Sequence, residues 1–128
     1  MDNNYLLDTN ILIYYADGLL KNWTFSESIF IQSFKISIIS KIEFLGWAGF
    51  HGNEIQYNMA KDFVNNASIF YLDDEVAEET ILIRQKYKIK MPDAVIAATA
   101  IINNMTLVSV NIRDFEKTGV NLLVPDLK

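Results

Sequence analysis

The chain has 128 residues, 51% of them hydrophobic and 21% charged, a composition that predicts one globular domain over residues 1–128. With 16 acidic and 11 basic residues its formal charge is −5, so the molecule as a whole repels nucleic acid, and any attraction must be local. Zero cysteines exclude disulfides and thiolate sites, and no apolar stretch has the length of a membrane span, so we expect a soluble, cytoplasmic protein.

The first predicted elements are a strand and a helix. Residues 4–7 predict a short buried strand, and residues 10–17 predict a helix that ends at Gly18, because glycine is favoured just past a helix C-terminus. The aromatic-rich segment 19–34 then predicts a turn followed by a helix capped by Ser26.

The remaining elements alternate between helices and strands. They are predicted as helices at 37–50 and 54–65, a strand at 67–72, helices at 73–87 and 93–103, a strand at 107–110, a helical turn at 112–117 and a strand at 120–124. Pro92 suits the first turn of the helix that it precedes. Strands alternating with helices indicate an α/β fold with a mostly parallel sheet flanked by helices.

Four acidic residues lie far apart in the chain, each where a predicted strand passes into a helix or turn: Asp8, Glu43, Asp93 and Asp114. Asp8 directly follows the first predicted strand, at the carboxyl end where open α/β sheets place their sites. Carboxylates that converge repel one another, so such a cluster needs a cation among them or raised pKa values. Hard oxygen ligands of this kind select Mg²⁺ or Mn²⁺.

Each acid taken alone also has a purely structural explanation. Asp8 suits a helix cap, Asp93 lies in a first turn where its charge complements the helix dipole, and Asp114 belongs to a capping-like pair. Glu43 and Ser40 match a capping box, although the helix can begin one turn earlier. Only the joint pattern therefore favours a metal site over four separate caps.

Four motifs occur in order along the chain. They are Asp8-Thr9-Asn10 after an apolar strand, Glu43 followed by Phe44-Leu45-Gly46, Pro92-Asp93 before an alanine-rich helix, and the segment from Leu107 to Phe115. In this order they resemble the motifs of the PIN-domain ribonucleases, over nearly the whole chain, and most closely the VapC-type toxins of bacterial toxin-antitoxin pairs. The resemblance implies a three-layer α/β/α domain with a mostly parallel central sheet.

The resemblance also implies a site and an activity. Carried over by position, the catalytic and metal-ligating residues are Asp8, Glu43, Asp93 and Asp114, supported by Asn10, Ser109 and Asn111. Ser109 keeps a hydroxyl where the family usually has threonine, whereas Val110 departs from the usual charged or polar residue. The implied activity is Mg²⁺- or Mn²⁺-dependent cleavage of a structured RNA such as tRNA or rRNA, by a homodimer whose site is blocked by an antitoxin protein.

A short basic stretch leads into Asp93. It contains Arg84, Lys86, Lys88 and Lys90. As cations at a helix C-terminus these residues complement the helix dipole, which is the favoured explanation when they are taken alone. Their position beside a candidate metal ligand keeps open a role in binding RNA phosphates, together with Arg113.

Two other functions compete with RNA cleavage. The first is a non-catalytic module of the same fold that binds RNA or protein, for example through its aromatic residues Trp23, Phe25, Phe30, Phe34, Trp47 and Phe50, most of which we expect in the core. The second is a metal-dependent phosphatase. Haloacid-dehalogenase phosphatases also begin with an aspartate after the first strand, but their second acid would fall at Asn10.

Overall fold

The structure, a computed structural model, describes residues 4–17 and 34–126. The strands in these ranges are β1 (Tyr5–Leu7), β2 (Lys35–Ser37), β3 (Ser68–Phe70), β4 (Thr106–Val108) and β5 (Leu122–Leu123). The helices are α1 (Thr9–Ala16), α2 (Ile38–Leu45), α3 (Glu54–Val64), α4 (Asp74–Lys86), α5 (Met91–Ile102) and α6 (Ile112–Glu116), with a 3₁₀ turn at Ala48–Phe50.

Every strand pairing in the described residues is parallel. β1 pairs with β4, β4 pairs with β5, and β2 pairs with β3. β1 also lies close to β2. At the start of these two strands Lys35 Nζ donates to Asn4 Oδ1, and beyond their ends the hydroxyls of Thr9 and Ser40 meet at 3.0 Å. The two strands therefore run in the same direction, and their carboxyl ends share one edge, as the α/β pattern predicts.

Neighbouring residues of one strand point into different cores, because side chains alternate across a strand. Leu6 and Leu107 pack with α4 and α5 in one cluster of buried residues, whereas Leu7 and Val108 pack with α1, α2 and α3 in another. Helices thus cover both faces of the strand layer, which contains a three-stranded sheet in the order β1-β4-β5 and a two-stranded sheet of β2 and β3. This confirms the three-layer α/β/α arrangement. α5 is the most deeply buried helix, since all residues from Ala94 to Ala100 are buried.

The predicted elements are largely present, and most are shorter than predicted, whereas α5 begins two residues earlier than predicted, at Met91. Strand β2 was missed, because three residues are too few to show periodicity and the helical spacing that follows dominates the segment. The helix predicted over 37–50 is wrong at both ends: Ser37 belongs to β2 and caps α2 by accepting from Ile39 N, and α2 ends at Leu45 before Gly46.

Some expectations fall outside the described residues. They are the helix end at Gly18, the helix from Ser26, and the placement of Trp23, Phe25 and Phe30. Among the helices of residues 4–17 and 34–126, none is both long and apolar enough to cross a bilayer.

Candidate active site

Asp8 lies immediately beyond β1 and is nearly buried, with 4% of its surface exposed. Each carboxylate oxygen accepts one hydrogen bond: Oδ1 from the Thr9 backbone N–H at 2.8 Å and Oδ2 from the Ser109 hydroxyl at 2.7 Å. Burial raises the pKa of Asp8 from 3.8 to about 6; the bonds from Ser109 and Thr9 oppose that shift, and the charges of Asp93 and Glu43 add to it. Asp8 is thus a helix cap, as its structural explanation predicts, and also part of a group of acids.

Asp93 is the third residue of α5 and is partly buried. Burial raises its pKa, the charges of Asp114 and Glu43 raise it further, and Lys90 opposes the shift. These interactions connect all four acids, since Asp93 interacts with Asp8, Glu43 and Asp114. The prediction that every acid lies where a strand passes into a helix or turn is wrong for Asp93, because α5 comes after α4 in the chain, and for Glu43, which is the sixth residue of α2. Tertiary packing, and not a strand end, brings Asp93 to the group.

Glu43 reaches the group from α2, with an exposed side chain. Its Oε1 accepts a hydrogen bond of 2.6 Å from the Thr9 hydroxyl. Because Ser37 caps α2, Glu43 lies in the second turn and takes no part in a capping box with Ser40. The carboxylate is therefore held by a neighbouring helix and not by its own.

Asp114 is positioned by Asn111, whose side-chain amide donates to Asp114 Oδ2 at 3.1 Å. The backbone N–H of Asn111 donates to Ser109 Oγ at 2.9 Å, while the Ser109 hydroxyl donates to Asp8. A chain of hydrogen bonds thus links the first acid to the last. Of the three supporting residues predicted from the sequence, Ser109 and Asn111 contact these acids directly.

Asn10, the third supporting residue, lies in the first turn of α1. Its side-chain Oδ1 is buried and has no hydrogen-bond partner among the described residues. A buried oxygen without a donor costs about 1–3 kcal/mol. Asn10 therefore offers an oxygen donor within two residues of Asp8, but its role in a site stays a prediction.

The four acids are close enough for their charges to interact, yet they do not enclose a point. Within residues 4–17 and 34–126, no three Asp, Glu, His or Cys side chains are arranged to hold a metal ion. Mg²⁺ usually keeps several waters and binds only one or two carboxylates directly. This set of donors therefore suits Mg²⁺ better than it suits an ion that needs a cage of carboxylates.

A family model confirms what these motifs resemble: the model of the PIN domain matches residues 5–121. The chain belongs to the PIN-domain family. Among solved structures, this PIN domain is similar to a toxin-antitoxin complex from Klebsiella pneumoniae, with 29% identity and a TM-score of 0.72 over 93% of this chain and 95% of that chain.

Two further structures share the fold. VapBC2 from Rickettsia felis, bound to a DNA fragment from their promoter, is 23% identical, with a TM-score of 0.81 over 95% of this chain and 98% of that chain. DNA-bound VapBC from Salmonella typhimurium is 21% identical, with a TM-score of 0.81 over 94% of this chain and 97% of that chain. Among curated proteins, none matches this PIN domain.

Sequence reasoning missed two hydroxyl groups at the site of this PIN domain. Thr9 touches the carboxylates of Asp8 and Glu43, and buried Ser40 touches Thr9. A signal for Ser40 was present, because residues three apart share a helix face and Ser40 precedes Glu43 by three. The contact of the Thr9 hydroxyl with Glu43 joins two helices that are distant in the chain, so no local sequence pattern indicates it.

The basic residues divide into two groups. Arg84 and Lys86 lie in the last turn of α4, as the helix-dipole explanation predicts, and Lys86 Nζ lies 5.5 Å from the Tyr87 ring centroid. Lys90 immediately precedes α5, and its charge acts on Asp93.

Lys88 and Arg113 are both exposed, and Arg113 is the neighbour of Asp114 in α6. Lys117 donates to the backbone carbonyl of Lys88 at 2.7 Å and so connects the basic stretch to the residue after α6. Binding of RNA by these residues stays a prediction.

Of the aromatic residues in the described ranges, Phe34 packs on the core next to Phe63, while Trp47 is 60% exposed. Trp47 meets Phe50 edge to face at 5.1 Å between ring centroids. Both line a groove of about 660 Å³ between the end of α2 and the start of α3. Trp47 is therefore an exception to the expectation that most of these aromatic residues lie in the core.

Proposed function

We propose that this PIN domain is a Mg²⁺- or Mn²⁺-dependent endoribonuclease that cleaves a structured RNA, tRNA or rRNA, as the toxin of a toxin-antitoxin pair. The observation that carries the proposal is the interaction of Asp93 with three other acids around nearly buried Asp8. Carboxylates that converge need raised pKa values or a cation among them, and a bound divalent ion would supply that cation. The likeness to a toxin-antitoxin complex at 29% identity supports the biological role.

In this proposal Asp8, Glu43, Asp93 and Asp114 hold the ion and Asn10 contributes an oxygen donor. A divalent ion held there would polarise the phosphodiester and make water more acidic, so no histidine base would be needed. Ser109 and Thr9 orient Asp8 by donating to one oxygen each. Asn111 holds Asp114 in the same way, so the carboxylates are ordered before substrate binds.

The proposal includes an antitoxin, a homodimer and the cytoplasm. The exposed ring of Trp47 and the groove that it lines support a protein partner, because solvent-exposed aromatic side chains beside a groove are typical of protein interfaces. The basic residues Lys86, Lys88, Lys90 and Arg113 are assigned to RNA, since the net charge of −5 leaves attraction of phosphates to local groups.

The decisive experiment offers the purified protein a tRNA mixture and, separately, p-nitrophenyl phosphate, each with Mg²⁺, with EDTA, and with EDTA followed by excess Mg²⁺. We expect the protein to cleave RNA at discrete positions and to leave p-nitrophenyl phosphate intact. EDTA should stop the RNA cleavage, and excess Mg²⁺ should restore it. Asp93→Asn protein purified in parallel controls for contaminating ribonuclease. Ester hydrolysis with intact RNA would establish the phosphatase instead, and RNA binding without either reaction would establish a non-catalytic module.

A further inference from the structure

Thr9 touches two of the four acids at once. Its backbone N–H donates to Asp8 Oδ1 at 2.8 Å, and its side-chain Oγ1 lies 2.6 Å from Glu43 Oε1. An O···O distance this short is typical of a hydroxyl that donates to an ionised carboxylate. Thr9 is therefore the direct link between the acid that follows β1 and the acid on α2.

The carboxylate of Glu43 fixes the direction of this contact and of a second one, between Thr9 and Ser40. Ser40 Oγ lies 3.0 Å from Thr9 Oγ1, and Ser40 is fully buried on α2. A threonine hydroxyl has one hydrogen, and an ionised carboxylate only accepts. Ser40 therefore donates to Thr9, and Thr9 donates to Glu43.

Without this contact nothing on its own helix would hold Glu43 near the other acids. The side chain is long and exposed, and the charges of Asp8 and Asp93 repel it towards solvent. We propose that Thr9, aligned by Ser40, is a positioning residue that keeps Glu43 beside Asp8 for a divalent cation. This role rests on the proposed function, because it presupposes that the four acids bind such an ion.

The test measures Mn²⁺ binding by calorimetry, without RNA, alongside thermal melting in EDTA. Thr9→Val keeps the shape of the side chain and removes the hydroxyl, and we expect about 10- to 100-fold weaker binding, the usual cost of losing a group that orients a metal ligand. Thr9→Ser keeps the hydroxyl and should bind within about threefold of the wild type, a smaller loss than the lower end of that range. Thr80→Val is the matched control, since the Thr80 hydroxyl donates only to Val76 O in its own helix, and it should bind as the wild type does.

A double-mutant cycle separates positioning from general support of the fold. If Thr9 acts through Glu43, then Thr9→Val should weaken Mn²⁺ binding much less in a Glu43→Ala background than in the wild type, because Glu43→Ala removes the carboxylate that Thr9 positions and either change then abolishes the same interaction. Equal weakening in both backgrounds would overturn the proposal. If Thr9→Val melts far below the wild type, Ser40→Ala is measured in its place. We then expect a smaller loss of Mn²⁺ affinity than for Thr9→Val. An unchanged Mn²⁺ affinity would overturn the positioning role of Thr9.

Failure of the positioning role and failure of the proposed function give different results. Saturable Mn²⁺ binding by the wild type with equal binding by Thr9→Val rejects the role of Thr9 and leaves the nuclease proposal standing. Wild-type protein that binds no Mn²⁺ rejects the metal-dependent function, and the role of Thr9 with it.

Discussion

The acid cluster and the basic stretch are both groups of like charge, yet their surroundings differ. Asp8 is nearly buried, hydroxyl groups from other elements hold Asp8 and Glu43, and the amide of Asn111 at the start of α6 holds Asp114. Lys86, Lys88 and Lys90 are exposed, and water screens their mutual repulsion. In the proposed function a bound cation offsets the repulsion among the acids, whereas exposed charges need no such ligand. We therefore expect large effects from changes in the acids and small effects from changes in the lysines.

The largest expected effect is that of Asp93→Asn on RNA cleavage. It removes one charged oxygen ligand and keeps the side-chain shape, so cleavage should fall by more than about 100-fold, beyond the cost of losing a group that only orients a ligand. The metal-free protein should melt at a slightly higher temperature, since repulsion by Asp114 and Glu43 is relieved. Asp62→Asn, an exposed acid on α3, is the control and should cleave normally. A variant that unfolds would reveal Asp93 as a structural cap.

The second largest expected effect is the pH dependence that Asp8 gives to the free energy of unfolding of the metal-free protein, measured in EDTA. Its pKa is about 6 in the folded protein and 3.8 as an ordinary carboxyl, so the native state keeps a proton that the unfolded chain releases as pH rises. The stability contributed by protonated Asp8 is complete below pH 3.8 and lost above pH 6, a change of about 3 kcal/mol.

Urea unfolding of the wild type and of Asp8→Asn at several pH values checks this expectation. The free energy of unfolding of the wild type should fall relative to that of the variant between pH 4 and pH 6. A constant difference over that range would mean that Asp8 is not desolvated, and the contrast between the two charged regions would disappear.

A third effect concerns metal ions and thermal stability. Mg²⁺ or Mn²⁺ should raise the melting temperature of the wild type in a saturable way, because an ion that binds only the native state adds about 2.7 kcal/mol at 100 times its Kd. The variant with Asp8, Glu43, Asp93 and Asp114 all changed to alanine should not respond. Equal shifts of the melting temperature in both proteins would mean that the ion binds elsewhere on the surface and not at these four acids.

The smallest expected effect is that of Lys86→Ala, Lys88→Ala and Lys90→Ala together on RNA binding. Each lost phosphate contact should reduce the slope of log affinity against log salt by roughly 0.7 to 0.9. The measurement titrates tRNA at several salt concentrations in Ca²⁺, chosen to occupy the site without turnover. Lys61→Ala on α3 is the control, and its slope should not change. An unaltered slope in the triple variant would assign these lysines to helix ends and leave RNA binding to Arg113 or Lys117.

Local chemistry in the sequence was enough to determine much of the fold. Asp73 accepts a hydrogen bond from Val76 N at the predicted start of α4, and Pro92 lies in the predicted first turn of α5. The order of the motifs indicated the family, which the family model confirms over residues 5–121. Short-range rules suffice here because caps, proline positions and strand-to-helix order depend on neighbouring residues.

Only the tertiary structure decided how the four acids relate to one another. It made Asp8 the most buried of them, brought Asp93 to the group from a helix that follows another helix, and placed the Thr9 hydroxyl against Glu43, 34 residues away in the chain. The short strand β2 likewise depends on its pairing with β3. Burial, charge interaction and hydrogen bonds between distant residues are properties of packing, and no local pattern encodes them.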